Sequence, residues 1–334
     1  MSRTVVVGDI HGCFDELVEL LDKVRLGPDD LLVSVGDVVD RGPAPGDVVD
    51  FFRGRPRSVV VMGNHERKHV RGIFSYAQEI TRLQLGDRYA EAVEWMRTLP
   101  YHFENEHVRV VHAAMVSGIP LADQKEEVLC GSTSGERELT ALFPDGHWQD
   151  HYTDAKPVAF GHHVVGREPM IRDGRIFGLD TGACHGWNLT ALCVPGFTVH
   201  AVEARADHWS IAKRRWQLPV LKSKAWLDFT WPELAETADR FSATSDLEVR
   251  SWLAAVEDWA SYLRSLIPSL VAAAIRLAGE LTTDQLRRHP AARFLFQARN
   301  GRLDQVTLAR QCSTPRRTIE VAGALGMAAP GLPD

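Results

Sequence analysis

Thr4-Val5-Val6-Val7-Gly8-Asp9-Ile10-His11-Gly12 sets a run of β-branched residues directly against a glycine-flanked acid and an imidazole. Such a run reads as a buried strand, and the polar residues fall where it ends. Phe14, Leu17, Val18, Leu21 and Val24 then recur at helical spacing, which predicts a helix over residues 13–25 with one apolar face. Gly27-Pro28-Asp29 stops it. A second apolar run, Leu31–Val35, follows, so the chain begins strand-helix-strand and an α/β fold is expected.

Working outward, the same device repeats. Ser58–Met62 and Val108–His112 are further Val-rich runs. Val158–His162, Arg175–Leu179, Leu189–Val194 and Phe197–Glu203 read as strands joined by short turns, as in a meander. Two sheets packed face to face with helices outside would accommodate both halves. From about Lys222 the pattern is helical, with Trp252, Val256, Trp259 and Leu263 on one face. The expected division is therefore residues 1–215 and a helical region 222–334, with the boundary near 213–230.

The chemistry gathers at the strand ends. Gly36-Asp37-Val38-Val39-Asp40-Arg41-Gly42, Gly63-Asn64-His65-Glu66 and Gly161-His162-His163 join the first motif, and His112 ends an apolar run alone. Asp9 to Asp37 is 28 residues and Asp37 to Asn64 is 27, each about one strand-helix-strand unit. That spacing returns the chain to one edge of a parallel sheet, where ligands bind. Asp9, His11, Asp37, Asn64, His112 and His162 should then converge. Their mixed oxygen and nitrogen donors suit manganese, iron or zinc better than calcium or magnesium.

Six donors exceed the need of one metal with open positions, so two divalent ions sharing Asp37 is the economical reading. Such a pair acidifies a bridging water and clamps an in-line displacement at phosphorus. Arg41 offers a planar fork to phosphate oxygens. His65 is placed to protonate the leaving alcohol with Asp40 orienting it, the alternative being that Asp40 only caps its loop. No role follows for His69, His102, His107, His147, His151, His185, His200, His208 or His289.

Taken together, these motifs resemble the signature series of the calcineurin-like metallophosphoesterases. The similarity is closer to the phosphoprotein phosphatase family and its bacterial diadenosine-tetraphosphatase-like relatives, and covers roughly residues 3–205. Gly131–Glu136, Trp148, Leu179–Gly182 and Leu189–Leu192 are also similar to the phosphatase module of bacterial polynucleotide kinase-phosphatase. The resemblance implies an α/β/β/α sandwich with a dimetal centre. It implies one metal on Asp9, His11 and Asp37, and the other on Asp37, Asn64, His112 and His162. It makes Asp180 an active-site candidate, although capping its own turn explains it equally well, and puts Arg137 in the interval of a second phosphate-binding arginine. Ala113-Ala114 departs from the family's usual glycine, and Val164 departs from members with a second histidine there.

Composition bounds the alternatives. The 334 residues carry 38 Lys and Arg against 44 Asp and Glu, a net charge of −6, so no global positive field recruits nucleic acid or an anionic membrane. The five cysteines form no C-x-x-C pair, which argues against a disulfide framework or a structural zinc site. With no signal-peptide pattern, a reduced cytoplasmic setting is expected. Leu266–Ala278, interrupted by Pro268 and Arg276, is too short to span a bilayer.

The leading expectation is a phosphomonoesterase acting on a phosphorylated protein, a nucleotide or a polynucleotide end. Hydrolysis of diadenosine tetraphosphate is the alternative. A silent binding module acting through its helical tail is the reading from another class. The tail's Trp226, Trp231, Trp252 and Trp259 suggest a core, and its arginines (Arg287, Arg288, Arg293, Arg299, Arg302, Arg316, Arg317) a solvated face or a contact for nucleic acid or protein.

Overall fold

The computed structural model describes residues 3–334. The chain divides into two units, one ending at Trp216 and the other spanning Gln217–Asp334.

In the first unit, β1 (Thr4–Val7), β2 (Leu31–Ser34) and β3 (Ser58–Val60) run parallel, linked by α1 (Phe14–Lys23) and α2 (Pro45–Gly54). After β3 come α3 (Asn64–Arg71), α4 (Tyr76–Leu85) and α5 (Tyr89–Met96). The chain then enters a second sheet through β4 (His102–Glu104), β5 (Arg109–Val111), α6 (Glu126–Leu129), α7 (Thr133–Leu142), β6 (Val158–Phe160), β7 (Met170–Arg172) and β8 (Ile176–Gly178). It returns to the first sheet as β9 (Asn188–Val194) and β10 (Thr198–Glu203), and α8 (His208–Arg215) ends the unit.

The sheet orders are β10-β9-β1-β2-β3 and β4-β5-β6-β8-β7. The expected meander is thus corrected. β6 and β8 pair in parallel, with β7 folded back antiparallel onto β8, while β9 and β10 belong to the other sheet.

Alternation along the strands builds the layers. Val6, Val33, Val110, Ala159, Phe177 and Leu192 come from both sheets and form one buried cluster between them. Val5, Val7 and Leu32 point the other way, packing with Leu17, Leu20, Val48 and Phe52 of α1 and α2. Val111, Val158, Phe160 and Ile176 pack likewise with Val128, Leu129 and Leu139 of α6 and α7. Period-two strands with both faces covered give an α/β/β/α sandwich.

The second unit is helical and has its own core. It contains α9 (Gln217–Lys222), α10 (Trp231–Ser242), α11 (Leu247–Ser265), α12 (Ile267–Glu280) and shorter helices up to Ala324. Leu247–Glu280 is long and apolar enough, by length and composition, to cross a membrane. Its Trp252, Val256, Trp259, Leu263 and Leu270 are instead buried with Trp226, Leu286 and Leu295, which marks α11 and α12 as core helices of this unit. Several tail arginines are engaged locally. Arg316 pairs with Asp228, Arg317 with Glu320, and Arg299 donates to the carbonyls of Ala278 and Leu281.

Candidate active site

Six polar residues lie just beyond the carboxyl ends of six parallel strands. Asp9 follows β1, Asp37 follows β2, Asn64 follows β3, His112 follows β5, His162 follows β6 and Asp180 follows β8. The edge of each sheet that faces ligands in open α/β folds therefore carries the polar groups.

Local backbone aims them. His11, Asp37, Asp40, Arg41 and His162 are five of the eight non-glycine described residues with positive φ, between 47° and 73°. Such conformations persist only where the surroundings over-determine them, and they cluster at functional sites. The motif glycines serve the carboxylates. A Cβ on Gly161 would stand 1.9 Å from Oδ1 of Asp9, and one on Gly63 would stand 2.2 Å from Oδ1 of Asp37.

Tautomers are fixed from behind. His11 Nδ1 lies 2.9 Å from the Val39 carbonyl and His112 Nδ1 lies 3.0 Å from that of Val35, so each ring donates there and turns Nε2 into the site. His112 Nε2 and His162 Nδ1 meet Asn64 Oδ1 at 3.1 and 3.0 Å. Asp37 is common to two groups whose donor atoms all lie within 4.8 Å of one another, His11–Asp37–His65 and Asp37–His112–His162. Asp9 belongs to neither group. Its carboxylate accepts the His162 backbone N–H at 3.1–3.2 Å, and the first group holds His65 in place of the Asp9 that the resemblance names.

The electrostatics of the site ask for cations. Burial, with Asp180 and Asp37 adding like charge, pushes the Asp9 carboxyl well above its usual range. Burial raises Asp180 as well, and Asp37 adds to it. Crowded carboxylates and imidazoles with lone pairs turned inward fit divalent metal ions.

Asp40 is fully buried and accepts from His65 Nδ1 at 2.5 Å, from His69 Nε2 at 2.9 Å and from Gln78. Burial alone would raise its carboxyl, but the two imidazoles outweigh it and hold the group far below the ordinary carboxylate range. His65 Nε2 is left facing Asp37 Oδ2 at 3.9 Å, toward the metal-ligand groups. Arg41 reaches His11 Nε2 at 3.0 Å through Nη1. Asp180 is buried and caps its turn by accepting the Gly182 N–H at 3.0 Å, so it is both a turn cap and a neighbour of the acidic cluster. Arg137 lines a pocket of about 400 Å³ with Asn64, Arg67, Lys68, Arg71 and Ser132, a lining that does not include Arg41.

Supporting residues escaped the sequence reading. Glu66 accepts the backbone N–H groups of Asp37, Val38, Val39 and Gly63 at 2.9–3.2 Å, shaping the loop that presents Asp37. Its place at the end of the Gly63–Glu66 motif was the available signal. His69 and Gln78 lie in α3 and α4 and had none. Glu136 Oε1 meets Nε2 of His162 at 3.1 Å and of His163 at 3.2 Å, orienting a proposed ligand from its far side.

A two-sheet sandwich with an acid- and histidine-lined strand edge defines a class, and residues 2–193 match the calcineurin-like phosphoesterase family, to which the chain belongs. The symmetrical bis(5'-nucleosyl)-tetraphosphatase of Salmonella paratyphi C is 28% identical over 259 residues, spanning 57% of this chain and 90% of that enzyme. The Salmonella typhimurium enzyme is similar to the same extent. A solved structure provisionally classed as a diadenosine tetraphosphatase superposes with a TM-score of 0.50 at 26% identity, covering 61% of this chain and 94% of that one. A protein serine/threonine phosphatase from Saccharomyces cerevisiae gives 0.42 at 16% identity, covering 61% and 80%.

Proposed function

We propose that this phosphoesterase hydrolyses phosphomonoesters, of a protein or of a nucleotide or polynucleotide end, at a centre of two divalent ions, manganese being favoured by the mixed donor set. Asp9, His11 and Asp37 would hold one ion and Asp37, Asn64, His112 and His162 the other. The carrying observation is that Asp37 is common to two donor groups. When bound, such ions supply an acidified water and positive charge for the phosphoryl oxygens.

The side chains do the rest. Arg41 orients the phosphoryl group through its fork, and His65 donates a proton from Nε2 to the leaving oxygen while ionised Asp40 holds Nδ1. Asp180 would sit at the edge of this site and Arg137 would hold a further anionic part of the substrate. The Asp37→Asn protein should lose metal-dependent turnover of p-nitrophenyl phosphate by at least about a thousandfold. Turnover near the wild-type rate sinks the proposal.

A second reading, dinucleoside polyphosphate hydrolysis, is favoured by the pocket of Arg67, Lys68, Arg71 and Arg137 beside Asn64, and by the tetraphosphatase names of the relatives. Glu127 neutralises part of that charge through Arg67 and Arg71, but no ion pair engages Lys68 or Arg137 among the described residues. A chain of phosphates extending past the metals would use them. Products decide the matter. Nucleoside diphosphate from diadenosine tetraphosphate supports the second reading, and inorganic phosphate from a phosphopeptide or nucleotide end supports the first.

A further inference from the structure

Three metal-binding side chains that the candidate site does not use meet one another. Cys13 lies at the start of α1 and Glu16 in its first turn, both buried, and His208 begins α8. A sulfur, a carboxylate oxygen and a ring nitrogen from these residues all lie within 4.8 Å of one another. Glu16 Oε1 accepts from the Arg205 backbone N–H at 3.0 Å and from His208 Nε2 at 2.8 Å. Its other oxygen, Oε2, is buried with no hydrogen-bond partner.

That orphan atom separates two explanations. A Glu16–His208 ion pair bracing α1 against α8 needs one carboxylate oxygen, and buried polar atoms are seldom left over. It also gives no part to the Cys13 thiol, whose hydrogen bond is a long one of 3.7 Å to the His11 carbonyl. A cation accounts for all three residues and for the free oxygen. Sulfur with imidazole and carboxylate is a donor set for zinc-like ions rather than magnesium or calcium. The thiol need not be acidic beforehand, because a bound ion deprotonates a coordinating thiol outright.

We propose that Cys13, Glu16 and His208 form a second metal site, for zinc, that clasps α1 to α8 and is separate from the catalytic ions. The sequence could not announce it, since the donors are 3 and 192 residues apart along the chain and belong to no paired-cysteine motif. Cys13 stands two residues beyond His11, so the clasp would also steady the loop carrying that residue.

Cobalt(II) tests this directly, because none of the six proposed catalytic ligands has sulfur. Reduced, metal-stripped full-length protein titrated with cobalt should develop a near-ultraviolet thiolate-to-cobalt band. The band should appear equally in the Asp37→Asn and Cys184→Ser proteins and be absent from Cys13→Ser. His208→Ala, at a partly exposed position, should weaken cobalt binding at this band by at least about tenfold. Elemental analysis of the zinc-loaded wild type should give one zinc that Asp37→Asn retains and Cys13→Ser lacks. If Cys13→Ser does not fold, the His208→Ala titration decides. No band at up to three equivalents of cobalt, a band that survives Cys13→Ser, or unchanged affinity in His208→Ala overturns the proposal.

Discussion

Asp40 shows how one residue's surroundings set its use. Three donors converge on a carboxylate without solvent access, and its depressed pKa keeps it ionised across the whole working range of pH. Asp40 on Nδ1 orients the His65 ring so that Nε2 faces the metal-ligand groups, where it can donate to a leaving oxygen. Asp40→Asn should therefore cost about 10²–10³-fold in kcat on an alkyl phosphate, whose leaving group needs a proton. On p-nitrophenyl phosphate, whose leaving group departs as an anion, the loss should stay below about tenfold. Parallel kcat measurements on the two substrates check this, and equal losses would mean that Asp40 is structural. Gly161→Ala tests the other half of the site. Its Cβ would stand 1.9 Å from Oδ1 of Asp9, so the carboxylate must move, and the protein should lose about one bound metal by elemental analysis while staying folded. Asp9, His11, Asp37, Asn64 and His162 stand out in the sequence because glycines flank their motifs, whereas His112 is marked only by the apolar run it ends. Glu66, His69, Gln78 and Glu136 act through those residues, and no local pattern sets them apart from solvated helix positions.

At the scale of elements, reading succeeded where the apolar period was long enough to count. β1, β2, β9 and α1 announce themselves by runs of mainly apolar residues or by a helical stripe. β4 and β7 are three residues each and only partly buried or exposed, so no alternation could develop in them. Missing β7 is what turned the parallel β6–β8 pair into a supposed meander. Contacts between distant elements are likewise silent in the sequence, and the α1–α8 contact is the sharpest case. Burial would raise the Glu16 carboxyl, yet the His208 ring and the Arg205 N–H hold it at about 2, below its ordinary 4.5. A depressed carboxyl stabilises the fold above its unfolded value, and that stability is lost as pH falls through the folded one. Metal-free wild type should exceed Glu16→Gln by about 3 kcal/mol at pH 6. The difference should shrink between pH 4.5 and about 2, as read from urea unfolding at each pH. A gap that stays constant down to pH 2 would remove Glu16 as its source.

For the whole molecule, the two units divide the chemistry from the remaining mass. Every proposed metal ligand, together with His65, Asp40, Arg41, Arg137 and Asp180, lies before Trp216. The sequence reading puts a change from strand periods to helical ones near residues 213–230. It could not show that the tail's tryptophans spend themselves on their own unit. Trp226 is fully buried against Trp252 and donates to the Leu221 carbonyl, and Trp231 and Trp259 donate to the carbonyls of Cys312 and Pro330. A core completed from within the second unit should fold by its own balance of burial and entropy. Trp259→Ala should then cost that unit about 3–5 kcal/mol through the cavity left behind. Calorimetry should show one transition lowered and another unchanged, with kcat/KM on p-nitrophenyl phosphate within about twofold of wild type. A loss of activity matching the loss of stability would instead mean that the phosphoesterase unit depends on the helical one, and a chain ending at Trp216 would then fail to turn over substrate at all.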